Sequence, residues 1–252
     1  MHPKFTTAVF CAGIVFLIHT LYLVFINPEV EALVENARIT GDQLPRNIYI
    51  ILKDFEQELC LILFGCAVIL CIQNYIEITS MDYLLDVDLF EEEKLSPERA
   101  FEYLSDLEEF DDNTKNSFLV ETLSSSLRRF ALTKNIESAA NAIEPALELL
   151  SIKNENNLSV IKYISWAIPS IGFLGTVRGI GQAMSEARAA VEGNIGPMTS
   201  SLGLAFNSTF VALIASVVLM MMLTYLQNAQ DNQLINIKKY TERYLINRIH
   251  HD

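Results

Sequence analysis

PSIGFLGTVRGIG, Pro169 to Gly181, sets one arginine, Arg178, inside a run that otherwise carries only the apolar and small residues of a membrane helix. A charge at that depth costs about 3 kcal/mol unless it is paired or reaches the headgroups. The stretch therefore raises two expectations together: this part of the chain crosses a membrane, and Arg178 has a partner. Glu56 and Glu58, at the outer end of an earlier apolar run, are candidates. So are Glu186 of a neighbouring copy and the headgroup layer, and a buried ion pair of Arg178 with Glu58 is the favoured expectation.

Working outward, the run extends from about Val160 to Ala187, and a second one follows from Leu202 to Leu226. Near the start, Phe5 to Ile26 has no formal charge over 22 residues. At 1.5 Å rise per residue that is about 33 Å, enough for a hydrocarbon core. It is too long for a signal-peptide core and no small-x-small cleavage site follows, so it reads as a retained anchor. Leu59 to Ile76 is a shorter span with a polar end. The expected fold is an all-α integral membrane protein of four transmembrane helices, with a helical cytoplasmic insertion between the second and third and a helical C-terminal tail. The divisions fall at 1–76, 77–159, 160–226 and 227–252.

Composition agrees, because 51% hydrophobic residues alongside 19% charged ones require apolar and charged runs to be segregated. A net charge of −13 excludes nucleic acid as a partner, since phosphate binding needs a basic face. Cys11, Cys60, Cys66 and Cys71 all lie in apolar runs without the Cys/His spacing of a zinc site, so neither disulfide nor metal is expected. No nucleophile with its base, carboxylate pair or phosphate loop is present, and an enzyme is the least supported class.

Lysine and arginine orient the spans. Residues 77–162 carry eight, the tail Lys238, Lys239, Arg243 and Arg248, and the N-terminus Lys4, against Arg38, Arg46, Lys53 and Arg188 on the other side. The positive-inside rule then puts both termini and the insertion in the cytoplasm. In the insertion, Ser96-Pro97 is an N-cap and first-turn pair, and Ala100, Phe101, Leu104 and Leu107 repeat at helical spacing. Further helical patterns cover Phe118 to Leu132 and continue from Ile136. The acidic residues Glu91, Glu92, Glu93, Glu108 and Glu109 read either as solvated helix faces or as a docking surface for a basic partner. In the tail, Leu234, Ile237, Thr241, Tyr244 and Leu245 share a face that should pack on the insertion.

Polar atoms inside spans mark where function is to be sought. Gly172, Gly175, Thr176 and Gly179 are spaced by three and four, a small face that permits close helix approach. Ser201, Ser208, Thr209 and Ser216 form a hydroxyl stripe on the next span. Helix packing is the competing reading of both stripes, because such hydroxyls also bond their own backbone. His19, alone in the first span, is read as interfacial or packed.

AIPSIGFLGTVRGI (Ala167–Ile180), a Gly-Pro loop and SLGLAFNSTFVALIA (Ser201–Ala215) together resemble the paired helices of the MotA/TolQ/ExbB proton-channel family. There an Ala-x-Pro leads into Gly-Leu-Leu-Gly-Thr-Val-x-Gly-Ile, and the next helix carries a small-Thr pair. The resemblance covers residues 160–226, about a quarter of the chain. It implies a subunit of an ion-driven rotary motor in the bacterial inner membrane. Such subunits form a homopentamer around a dimer of a single-span partner whose membrane aspartate binds H+ or Na+, with no other cofactor. Carried over by position, Pro169 matches the family proline, and Thr176 and Thr209, with Ser208 beside them, would line the ion path. Pro169, Gly172, Gly175 and Gly179 would serve helix packing. Two positions depart from the pattern: Arg178 stands where relatives are apolar or aromatic, and Leu204 where some have glutamate. A non-conducting membrane scaffold that recruits a basic partner through its acidic helices is the alternative.

Overall fold

The computed structural model of the chain describes residues 3–40, 44–45, 47–80, 82–90, 94–115 and 117–249, of which 3–5, 112 and 113 are described by backbone alone. Among these residues the structure is helical throughout, and the single extended pairing is one parallel bridge between Leu95 and Ile249. Among the described residues four helices are long and apolar enough to cross a membrane. The chain divides into two compact units, residues 1–72 with 160–223 and residues 73–159 with 224–252.

In the first unit, α1 (Pro3–Leu21) passes through a π turn (Tyr22–Ile26) into α2 (Asn27–Thr40). The cause is Pro28, whose ring would press on the carbonyl of Val24 in a regular α-helix. Widening the preceding turn, so that the Asn27 N–H donates to Tyr22 O, carries the chain past this clash. After α3 (Ile48–Ile51), capped by Asn47 through the Ile50 N–H at 3.0 Å, α4 (Phe55–Thr79) returns antiparallel to α1. Gly65 lets Ile14 of α1 approach, since a Cβ there would stand 2.7 Å from the Ile14 Cγ2 atom. The remaining helices of this unit are the C-terminal part of α9 (Ile143–Ser185), the short α10 (Ala187–Val191) and the N-terminal part of α11 (Gly196–Tyr244).

In the second unit, α5 (Pro97–Glu108) starts as the Ser96-Pro97 pair predicts, with Ser96 Oγ accepting from the Arg99 N–H at 3.3 Å. It buries Ala100, Leu104 and Leu107, whereas Phe101 is exposed, one residue off the buried stripe. The four-residue α6 (Asp112–Lys115) leads to α7 (Phe118–Thr133), which is capped by Ser117 and closed by Lys134 in the left-handed conformation. Asn135 then caps α8 (Ile136–Ala140) through the N–H groups of Glu137 and Ser138. Leu123, Leu127 and Phe130 of α7 form a core that Ile237 and Tyr240 of α11 join. Burial pushes the Tyr240 phenol up to about 12, so it stays a donor, to Val87 O at 2.8 Å, while accepting from the Leu89 N–H. Arg248 closes the same loop through the Asp88 carboxylate and Phe90 O. Of the acidic residues singled out above, Glu91, Glu92 and Glu93 lie outside the described residues, and Glu108 pairs with Arg128 at 3.6 Å.

Candidate ion-path site in the helix pair

The site is built on α9 and α11 within the first unit. Pro169 sits inside α9 and has no N–H to give Ser165 O, four residues back. In a membrane an orphaned carbonyl is expensive, and Ser216 of α11 supplies the missing donor at 3.3 Å. Above the proline, the glycine face meets a small-residue face on α11. A Cβ on Gly179 would stand 2.6 Å from Ala205 Cβ and 2.7 Å from its Cα, and one on Gly175 would stand 2.5 Å from Ser208 Oγ. At Gly172 it would collide with the Ala212 side chain and crowd the backbone of Ser208 and Thr209. The close approach read from the glycine spacing is thus made inside one chain, by α11.

That approach brings the hydroxyls together. Thr176 Oγ1 and Thr209 Oγ1 are 2.6 Å apart, and Thr176 Oγ1 is 3.1 Å from Ala205 O. Thr209 and Ser208 both donate to Gly172 O, at 2.9 and 3.0 Å. Each hydroxyl has one proton, so with Thr209 donating to Gly172 O, Thr176 gives its own proton to Thr209 or to Ala205. One lone pair of Thr209 Oγ1 is then left for a third partner. Thr176 and Ser208 are enclosed between the helices, while Thr209 is half-buried at the edge of the pair.

Arg178 points away from these hydroxyls, as two residues at 100° each require. Its guanidinium makes a two-point contact with Glu56, Nε to Oε1 at 2.8 Å and NH2 to Oε2 at 2.9 Å, and a third with Asp54 at 3.2 Å. The expected pairing with Glu58 is corrected here: Glu58 instead binds His19 Nδ1 at 2.7 Å. Helix geometry explains the choice, because Glu56 and Glu58 lie about 200° apart on α4 and only one can face α9 while the other faces α1. The pair is also not fully buried, the Arg178 side chain being 56% exposed and Glu56 13%. Glu186, the other candidate, accepts from Ser201 of the same chain at 3.1 Å. Glu56 reaches Arg178 by crossing Gly175, whose added Cβ would lie 3.2 Å from Glu56 Cγ. Asp54 was not foreseen, since it precedes the apolar run and carries no periodic signal.

Residues 111–239, 129 of 252, match the family model described as the MotA/TolQ/ExbB proton channel family. The chain belongs to this family. The matched segment contains Pro169, the glycine face, Arg178 and the Thr176–Thr209 pair. No curated protein and no solved structure matches the chain.

Two predictions arise from this geometry. Arg178→Leu should destabilise the folded chain, and Glu56→Gln should recover part of that loss by removing the stranded carboxylate, with a coupling of roughly 1–3 kcal/mol. Arg178→Leu with Glu58→Gln should be additive. Thermal unfolding of the four Glu56-cycle proteins and four Glu58-cycle proteins in nanodiscs reads both; coupling to Glu58 and not Glu56 would contradict the geometry. Ser216→Ala should cost about 1–2 kcal/mol by orphaning Ser165 O, and Ser216→Thr should restore most of it. In a Pro169→Ala background, where the helix supplies its own N–H, the cost of Ser216→Ala should vanish.

Proposed function

We propose that this protein is the channel subunit of a rotary motor driven by protons or sodium ions, assembled as a homopentamer around a dimer of a single-span partner. The partner contributes the ion-carrying aspartate, because neither signature helix of this chain offers an inward carboxylate. The observation that carries the reading is the Thr176–Thr209 pair, two hydroxyls 2.6 Å apart in the matched helices, with an acceptor site left on Thr209. As a protonated or ion-loaded aspartate moves past, such hydroxyls replace part of the water shell during exchange. In this reading α9 and α11 form the inner ring and α1 and α4 face lipid, in keeping with the exposed Phe16, Leu17 and Phe25. The distribution of Lys and Arg favours cytoplasmic termini in the bacterial inner membrane, which makes the second unit cytoplasmic. The test is ion flux in vesicles containing the chain with its partner, comparing the natural hydroxyls with valine at both positions. A complex that assembles but never conducts would leave the scaffold reading.

A further inference from the structure

Two side chains of the first unit are fully enclosed yet without a hydrogen-bond partner. Tyr22 is 2% exposed with its hydroxyl unpaired, and Gln57 is 0% exposed with both amide atoms unpaired. A buried amide left in that state costs several hydrogen bonds' worth of solvation, so each such group calls for a ligand. Both belong to one locality. Gln57 lies in the first turn of α4, between Glu56 and Glu58 and one turn after Asp54. Tyr22 follows His19 by three residues, and His19 Nδ1 meets Glu58, the residue after Gln57, at 2.7 Å.

The charges around the locality are unevenly matched. Glu56 is neutralised by Arg178 of α9, and Asp54 by Lys53 at 2.8 Å as well as by Arg178. Glu58 has neither a lysine nor an arginine; its partner is His19 of α1, at 2.7 Å. Of Asp54, Glu56 and Glu58, only Glu58 lacks a lysine or arginine, and the unpartnered oxygens Tyr22 Oη and Gln57 Oε1 belong to the same end of α1 and α4. Among the described residues no group of three or more His, Cys, Asp and Glu is arranged for a metal ion, so a divalent ion is disfavoured. One negative charge with neutral oxygens suits a monovalent cation that keeps part of its water.

We propose that Tyr22, Gln57 and Glu58 form a binding site for a hydrated monovalent cation, sodium or hydronium, on the α1–α4 side of the unit and separate from the Thr176–Thr209 pair. Water completes the shell and accepts from the Gln57 amide N–H groups. His19 holds one Glu58 oxygen, Oε1, at 2.7 Å, and leaves the other for the cation. The site concerns this chain alone and does not depend on the motor reading or on the partner.

Thallium(I) is the probe. Anomalous maps from crystals of the full-length protein soaked in thallium(I) should show a peak among Tyr22 Oη, Gln57 Oε1 and the Glu58 carboxylate. The peak should be lost in Glu58→Gln and Gln57→Leu and weakened in Tyr22→Phe, the variant that best preserves shape. Glu56→Gln should retain it. Displacement by sodium at constant pH would assign sodium, and a peak that excess sodium leaves in place would rule sodium out in favour of hydronium. No peak in the natural protein, or a peak indifferent to all three substitutions, overturns the proposal.

Discussion

Replacing Thr209 by valine lowers ion flux through the assembled complex by about tenfold or more and leaves the helix pair folded. Valine fills nearly the same space but can neither donate nor accept. The fold survives because Gly172 O keeps its second donor, Ser208, at 3.0 Å, so the structural loss is about 1 kcal/mol. What disappears is the oxygen with a spare lone pair at the edge of the pair. Thr176→Val should act through the same point, since Thr176 orients the Thr209 hydroxyl from 2.6 Å away. A tenfold change corresponds to about 1.4 kcal/mol in a barrier, within what one lost hydrogen bond to an ion can supply. The double variant should be little worse than the more damaging single, because both interrupt one route. Flux is read in vesicles by a pH-sensitive or sodium-sensitive dye, and assembly by native mass spectrometry. Normal flux in an intact doubly substituted complex would assign both threonines to packing alone.

Gly179→Leu and Gly172→Leu should each abolish the folded helix pair, a defect of the chain itself rather than of its assembly. Even Gly179→Ala meets Ala205 Cα at 2.7 Å and Gly172→Ala meets the Ala212 side chain, obstacles that include backbone and cannot rotate aside. Overpacking of this kind costs roughly 1–3 kcal/mol for one methyl and more for a leucine. Gly175→Ala should be comparably damaging, because the Ser208 Oγ and Glu56 can rotate aside but the Ser208 Cβ, 2.6 Å from the added methyl, is held by its backbone. Gly181 has nothing within 4 Å of an added Cβ, so Gly181→Ala is the control and should leave the chain's own fold unchanged. Thermal unfolding of the alanine series in nanodiscs ranks them; Gly181→Ala as damaging as Gly179→Ala would refute the account. Unfolding of the chain itself, whatever its assembly state, separates this from a contact between copies.

Much of the fold is legible in the chain because membranes simplify the problem. An uncharged run long enough to cross hydrocarbon has few alternatives to a helix, as every backbone polar group must be satisfied within the segment. Caps were equally readable: Ser96 before Pro97 is a local device, settled by the bonds of four consecutive residues. The exposed Phe101 shows the boundary of that reasoning, since a helical stripe broad enough to include it still left its inclusion to the position of α7. At the site, the glycine and hydroxyl faces were visible as spacings of three, four and seven. The role of Ser216 was visible only in halves, as a serine in a stripe and as a proline whose orphaned carbonyl, on Ser165, lies 51 residues before that serine.

By itself the sequence determined that four helices are apolar enough to cross a membrane, which face of α9 is small and which face of α11 bears hydroxyls, and that Arg178 points away from Thr176. Periodicity suffices for these because it assigns each residue an angle about its own helix. The tertiary structure alone decided that Glu56 and Asp54, not Glu58, receive Arg178, that α11 of the same chain occupies the glycine face, and that Tyr22 and Gln57 are enclosed without partners. Those outcomes depend on the rotation and axial offset of one helix against another. Between Glu56 and Glu58 the difference is about 3 Å of rise and 200° of turn. Only side chains meeting across the interface select between them.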